Sequence, residues 1–329
     1  MITGKVPENI LKRSVLNRIK TKRSEVLVGA DVGIDCAVLN FEDNELTVVT
    51  QDPVTVTKMD QASLSVCAVL NDLAAMGATP VGLMITCILP KDSSEDELRA
   101  LMDEIETNAS KEKVQIVGGH TEVSTIVNAP LLLLTGIGKV SADKLVTQKG
   151  AKSGDDVVIT KWIGLEGTTI IAKEKETELL SKFPQKMIYD AKNFDKYLSV
   201  IPEAATAVKS GVTAMHDASE GGIFAALWQI AYSSGVGLEV DLHKIPVKQE
   251  TIEICNFFDL NPYELMAAGS MVITTKDGNG LVQELIKEGI SATIVGKITD
   301  SNDRVVYTAD SRRFLEPVRN EEIYKILNK

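Results

Sequence analysis

Basic and aromatic residues are scarce in this sequence, and histidine is nearly absent. Lys and Arg number 35 against 46 Asp and Glu, with 3 His and 5% aromatics. The resulting net charge of −11 repels a nucleic-acid backbone unless a local basic patch overrides it. The nearest candidate, Lys12, Arg13, Arg18, Lys20, Lys22 and Arg23, alternates with Ile10, Leu11, Val15, Leu16 and Ile19 at helical spacing and reads as a solvated helix face. The 4 cysteines, Cys36, Cys67, Cys87 and Cys255, form no C-x-x-C pair and sit among apolar neighbours. That pattern signals neither a zinc site nor a disulfide framework and suits buried thiols in a reducing compartment. No apolar run approaches the roughly 18 residues a membrane span needs, and no secretory signal opens the chain. A cytoplasmic protein without nucleic-acid or membrane partners is expected. The P-loop pattern G-x-x-x-x-G-K-[ST] and the dinucleotide pattern G-x-G-x-x-G are both missing.

The chain has 329 residues, 44% of them hydrophobic, enough for two domains with cores of their own. Between about 140 and 155 the patterning breaks into Ser, Asp, Lys, Gly and Ala, which predicts domains at 1–148 and 149–329. In the first half, helices are predicted at about Glu8 to Lys20, Gln61 to Met76 (capped by Asp60 and ended by Gly77 and Pro80) and from Ser93 or Ser94 to Lys111. Strands are predicted at Val26 to Val28, Ala37 to Leu39, Leu46 to Thr50, Val81 to Leu89, Val114 to Val117, Glu122 to Val127 and Leu131 to Ile137. The second half alternates strand and helix, most clearly at Val157 to Thr160, Glu220 to Ser233, Met271 to Thr275, Leu281 to Glu288 and Ala292 to Ile298.

Five acidic residues interrupt apolar segments. Asp31 and Asp35 flank Gly33 in GADVGIDCAVL, Asp52 ends LTVVTQD, Asp72 follows Asn71 in VCAVLNDLAAMGA, and Glu122 follows Gly118, Gly119, His120 and Thr121. The helix carrying Asp72 is apolar nearly all round, so its carboxylate is expected to be buried, which is costly unless it is paired or bound to a metal. Singly, each acid also reads as a cap, an ion pair or an acidic turn. Together, oxygen donors without a His or Cys cluster suit a hard cation such as Mg²⁺ shared with phosphate oxygens. Gly118-Gly119 after a strand can offer backbone N–H groups to a phosphate, or simply make a turn. Thr121 is a hydroxyl donor and Lys58 a candidate ammonium; His120 can touch phosphate or fill the turn. In the second half, MHDASEGGIFAAL sets Asp217 and Glu220 before Gly221-Gly222 at a predicted helix start. Capping by Asp217 or Ser219 and an anion-binding helix N-terminus are equally open there.

The segments GADVGIDCAVL, TQDPVTVTK, VLNDLAAMGATP, IVGGHTEV, MHDASEGGIFAAL and IPVKQETIEICNFFDLNPYELMAAGSMVIT resemble, in order, those of the aminoimidazole-ribonucleotide synthetase (PurM-like) superfamily. The similarity is strongest to its hydrogenase-maturation branch, which dehydrates a carbamoyl thioester. The resemblance implies a two-domain α/β fold, the N-terminal domain forming a β-barrel across a homodimer and an α/β C-terminal domain covering a nucleotide cleft. It implies ATP and Mg²⁺ as cofactors. Asp31, Asp35, Asp52 and Asp72 become metal- and triphosphate-organising residues, with Glu122 kept as a fifth candidate ligand from the carboxylate pattern. Asn71, Gly118, Gly119 and Thr121 lie near the nucleotide, with Lys58 and His120 as further candidates, and Asp217 and Glu220 join Asp72 as candidate catalytic residues. The maturation enzymes carry a Pro-Arg-x-Cys tail, whereas this sequence reads NEEIYKILNK and its last cysteine is Cys255, so carbamoyl transfer to such a tail thiol is not expected. His120 replaces the usual acid of the GG-x-T segment. The function expected is Mg·ATP-dependent activation of an amide, carbonyl or phosphate oxygen of a small substrate; the alternative is a non-catalytic nucleotide-binding maturation or scaffold protein acting through a partner protein.

Overall fold

The computed structural model describes residues 4–5, 8–30, 38–57 and 59–327. The chain splits into two compact units, Met1–Leu73 with Ala78–Asp143 and Ala74–Gly77 with Lys144–Lys329. The first contains β1 (Gly4–Lys5), α1 (Glu8–Ser14), β2 (Val26–Val28), β3 (Val38–Leu39), β4 (Glu45–Pro53), α2 (Gln61–Ala75), β5 (Thr79–Pro90), α3 (Glu95–Lys111), β6 (Gln115–Ser124) and β7 (Leu131–Ser141). Five strands form one sheet in the order β1-β6-β5-β7-β4, parallel only between β5 and β6.

The two faces of this sheet differ. Alternation along β5 and β7 puts Val81, Leu83, Ile85, Cys87 and Leu89 on the same side as Leu132 and Leu134, all at most 4% exposed. Helix α2 covers that side, with Val69 and Leu73 against Gly136. Helix α3 buries Leu98, Met102, Ile105 and Ala109, and its Ser94–Glu97 capping box and acidic first turn satisfy its N-terminus. The opposite side stays open: Val49 is 61% and Met84 41% exposed, in register with half-buried Ile137 and Thr135.

The basic N-terminal segment is neutralised within its own unit. Arg13 forms a bidentate pair with Glu95, Arg18 approaches Asp103 at 3.4 Å, and Glu106 accepts the backbone N–H groups of Lys20 and Thr21. Three local expectations change. The first helix ends at Ser14 and continues as a 3-10 turn over Leu16–Arg18. The strand expected from Val81 begins earlier, so that Pro80, expected to end the preceding helix, lies inside β5. The segments predicted as two strands around Gly118-Gly119 are one strand, β6.

The second unit contains β8 (Asp156–Thr160), α4 (Leu165–Glu174), α5 (Glu176–Leu180), α6 (Gln185–Lys192), α7 (Ile201–Lys209), β9 (Ala214–Ala218), α8 (Gly222–Ser234), β10 (Gly237–Asp241), α9 (Gln249–Phe258), β11 (Ser270–Thr275), α10 (Gly278–Lys287), β12 (Ala292–Thr299), β13 (Arg304–Tyr307), β14 (Arg312–Phe314) and α11 (Tyr324–Leu327). Its seven-stranded mixed sheet runs β14-β13-β10-β12-β8-β11-β9. One core packs Ile223, Phe224, Leu227 and Ile230 of α8 on Val157, Ile159 and Val272. The other packs Ala204 and Ala207 of α7 and Leu281 and Leu285 of α10 on Val158, Met271 and Ile273. Strand β11 is therefore buried on both faces, as its unbroken apolar and Thr composition requires. Among the described residues no helix is long and apolar enough to cross a membrane.

Candidate functional site

The covered face of the first sheet carries polar groups at one edge. Thr50 and Asp52, two residues apart on β4, point to the same side, in register with Gly136 and with the fully buried Leu134. Helix α2 brings Asp72 to this edge, and the Thr50 hydroxyl donates to Asp72 Oδ2 at 2.6 Å. The helix is buried on nearly all sides, as its composition requires, but Asp72 itself is half-buried. It is less buried than its helix predicts because the residue lies where α2 meets the exposed edge strand. Asn71 is 1% exposed, and its amide donates to Cys67 Sγ one turn earlier at 3.6 Å.

The glycine pair is not a turn. Gly118 and Gly119 lie within β6 opposite Met84 and Ile85, where the parallel register slips. Gly119 takes φ +150°, and a Cβ there would sit 2.0 Å from the Ile85 carbonyl oxygen, so the residue is required by close strand approach. Thr121 pairs with Cys87 and faces the covered side, 7% exposed. His120 and Glu122 alternate with it onto the open side, where His120 Nε2 and Glu122 Oε2 are 3.0 Å apart. Glu122 is thereby separated by the sheet from Asp52 and Asp72. Asp31, Asp35 and Lys58 lie outside the described residues. Among the described residues no group of three or more His, Cys, Asp or Glu is arranged to hold a metal. Asp52, Asp72 and Thr50 do fit one in kind: all are hard oxygen donors, and Mg²⁺ is commonly held by one or two protein carboxylates with phosphate oxygens completing its shell.

The second unit resolves the two readings of its glycine pair. Asp217 is 4% exposed within β9, and Glu220 is exposed in the turn that follows. Helix α8 begins at Gly222 after Gly221 in the left-handed region at φ +74°, with no capping side chain from Asp217 or Ser219. Glu321 fills the place instead: Gly221 N–H donates to its Oε2 at 2.5 Å and Met266 N–H to its Oε1 at 3.0 Å. Burial lifts Glu321 from 4.5 to about 6, with Glu220 adding to the rise and the backbone hydrogen bonds opposing it. The adjacent Glu322 accepts from Asn261 N–H at 2.8 Å and pairs with Lys325. Thr50 and Glu321 were invisible as site residues in the sequence. A threonine in a strand and a glutamate in a polar terminal segment carry no local mark of partners 22 and 100 residues away. Cys87 and Cys255 are both pushed up to about 12 by burial, which favours the protonated thiol over the nucleophilic thiolate.

Two α/β units, one with a one-sided sheet edged by oxygen donors and one with a sheet covered on both faces, constitute a two-domain PurM-like fold. The chain belongs to the AIR synthase related family: residues 33–140 match the model of its N-terminal domain and 152–308 that of its C-terminal domain. A Methanocaldococcus jannaschii protein named as a hydrogenase expression/formation protein is 26% identical over 323 residues, covering 95% of this chain and 94% of that one. The carbamoyl dehydratase HypE of Rhodobacter capsulatus is 25% identical over 251 residues, 74% of this chain and 72% of that one. Among solved structures, the hydrogenase maturation protein HypE in complex with ATP aligns with a TM-score of 0.80 at 20% identity, covering 97% of each chain. A chain of a HypE–HypF complex aligns at 0.71 and 22% identity, over 82% of this chain and 90% of that one.

Proposed function

We propose that the protein is a Mg·ATP-dependent enzyme that activates an amide, carbonyl or phosphate oxygen of a small substrate by phosphoryl transfer. The observation that carries this reading is the alignment of Thr50 and Asp52 on one face of β4 with Asp72 hydrogen-bonded to that face. The likeness of its fold to that of a HypE solved with ATP supports it. Asp52 and Asp72 are the proposed cation holders, joined by Asp31 and Asp35, with Lys58, Asn71, Gly118, Gly119 and Thr121 proposed along the nucleotide. His120 and Glu122 are left out because they face the other side of the sheet. In the second unit Asp217 and Glu220 are kept as proposed catalytic residues. When bound, Mg·ATP supplies the electrophilic phosphoryl group and the charge that offsets its oxygens. The protein's own contribution is to hold Asp52 on a strand and Asp72, hydrogen-bonded to that strand through Thr50, on the helix that packs on it, so that little reorganisation accompanies reaction.

The phosphoryl acceptor is proposed to be an oxygen of the substrate; the buried thiols of Cys87 and Cys255 are held protonated and are not proposed as nucleophiles. A homodimer is proposed on the open sheet face, where Val49 and Met84 remain exposed in a monomer. A maturation partner protein is proposed from the names of the relatives and the HypE–HypF complex. Calorimetry with Mg²⁺ and a non-hydrolysable ATP analogue, then single-turnover transfer of γ-phosphate to a panel of metabolites, tests the reading. Asp72→Asn is expected to lower turnover about a hundredfold or more while the fold is retained. Wild-type turnover in that variant would remove Asp72 from the mechanism, and tight analogue binding with no turnover on any acceptor would favour the non-catalytic scaffold.

A further inference from the structure

The direction of Asp72 depends on Thr50, which opens the segment TQDPVTVTK, and on Gly136, which lies in none of the family segments. On β4, Thr50 stands directly opposite Gly136 of β7, and both face α2. A Cβ at Gly136 would lie 2.3 Å from Val69 Cγ1, 3.1 Å from Leu73 Cδ1 and 3.4 Å from Thr50 Cγ2. The missing side chain is what lets the helix settle so low on the sheet. At that depth Asp72, adjacent to Leu73 on the helix, meets the Thr50 hydroxyl at 2.6 Å. A hydroxyl that donates to a carboxylate forms a charge-assisted bond to one defined oxygen and so restrains the orientation of the carboxylate.

We infer that Thr50 is the positioning residue of the site: its hydroxyl, brought within reach by the absence of a side chain at Gly136, holds the Asp72 carboxylate in the orientation that receives the divalent ion of Mg·ATP. This rests on the assignment of Asp72 made above. Thr50 acts through Asp72 and is not itself a catalytic residue. Its contribution appears in the Mg²⁺-dependent part of nucleotide binding, whereas a threonine that only packs contributes to stability alone.

The test is calorimetric titration of the full-length protein with a non-hydrolysable ATP analogue, in Mg²⁺ and again in EDTA, with the unliganded Tm of each variant. Thr50→Val keeps the shape and removes the donor; it is expected to weaken binding in Mg²⁺ roughly tenfold, the range of a hydrogen bond to a charged group. Binding in EDTA should change by less than about twofold, since only the Mg²⁺-dependent part passes through this hydroxyl. Thr50→Ala, which cannot crowd the helix, carries the same expectation, and Thr50→Ser should restore the wild-type affinity in Mg²⁺. Should Thr50→Val and Thr50→Ala bind as wild type while Asp72→Asn loses the Mg²⁺ dependence, the positioning role is wrong and the assignment of Asp72 stands. Should Thr50→Ser remain as weak as Thr50→Val, methyl packing rather than the hydroxyl governs the site and the inference fails. If Asp72→Asn itself keeps full Mg²⁺-dependent binding, the functional reading falls first, whatever Thr50 does.

Discussion

Two carboxylates, Asp72 in the first unit and Glu321 in the second, are each held in place by donors far away in sequence, but the donors differ in kind. Asp72 accepts from a side chain, the Thr50 hydroxyl, and is half-buried at the edge of its sheet. Glu321 is 8% exposed, and each of its oxygens accepts a backbone N–H, from Gly221 and from Met266. A carboxylate locked by amides closes a helix end that would otherwise expose orphan donors, so its work is structural. One steered by a hydroxyl at an exposed edge can be presented to an ion. The distinction matters for the second glycine pair, because the anion at the start of α8 is supplied by the protein itself.

The strongest test of this contrast is Glu321→Ala. It strands two buried amide donors, Gly221 N–H and Met266 N–H, and should destabilise the protein by about 3 kcal/mol in urea unfolding. Its affinity for the ATP analogue below the unfolding transition should stay at the wild-type value. Asp72→Asn should give the reverse pattern, with stability retained and Mg²⁺-dependent binding lost. A loss of nucleotide binding in Glu321→Ala would break the division between a structural and a presented carboxylate.

A smaller effect should follow pH. Burial raises Glu321 from 4.5 to about 6, so the folded protein binds this proton more tightly than the unfolded chain. The sign is therefore opposite to that of an ion-paired acid: the contribution is fully present below pH 4.5 and is lost as pH rises through 6. Over that window the advantage of wild type over Glu321→Ala should shrink by about 2 kcal/mol. Glu25 runs the other way. Hydrogen bonds from Arg23 and Lys139 hold it at about 2, so its contribution disappears only as pH falls from about 4.5 toward 2. Urea midpoints of the two proteins between pH 4.5 and 7 isolate Glu321 from Glu25, and a difference that is flat across this range would show that the Glu321 carboxyl is not shifted.

Much of the architecture can be read from the chain, since period-two burial along β7 and the capping-box residues Ser94 and Glu97 are local signals. Asp72 is legible for the same reason, being an acid in an apolar helix. Gly118-Gly119 misleads because the sequence mark of a turn and that of a close strand approach are the same two residues. Only the register slip beside Met84 and the φ of +150° at Gly119 separate them. Glu122 misleads through parity: one residue along a strand reverses the face, and nothing local tells which face carries the site. The donors to Asp72 and Glu321 depend on contacts across 22 and 100 residues, which no short-range pattern encodes.

The smallest effect bears on how Asp72 is presented. Gly136→Ala places a methyl group 2.3 Å from Val69 Cγ1, and a β-branched side chain anchored on a helix has no free end to swing aside. The helix must therefore lift, at a cost of about 1.5 kcal/mol, which is in the range for an overpacked core. Lifting α2 carries Asp72 away from Thr50, so the variant should lose Mg²⁺-dependent affinity for the ATP analogue along with stability. Gly138→Ala is the matched control, two residues along the same strand. Its added Cβ meets nothing closer than the Thr79 carbonyl oxygen at 3.1 Å, followed by Ala78 and Leu73 at 3.3 and 3.4 Å. Small adjustments there relieve the crowding without displacing Asp72, and binding should be kept. Equal losses of affinity in both variants would mean that general loosening of the unit weakens the site; a loss confined to Gly136→Ala ties presentation of the carboxylate to the depth at which α2 sits.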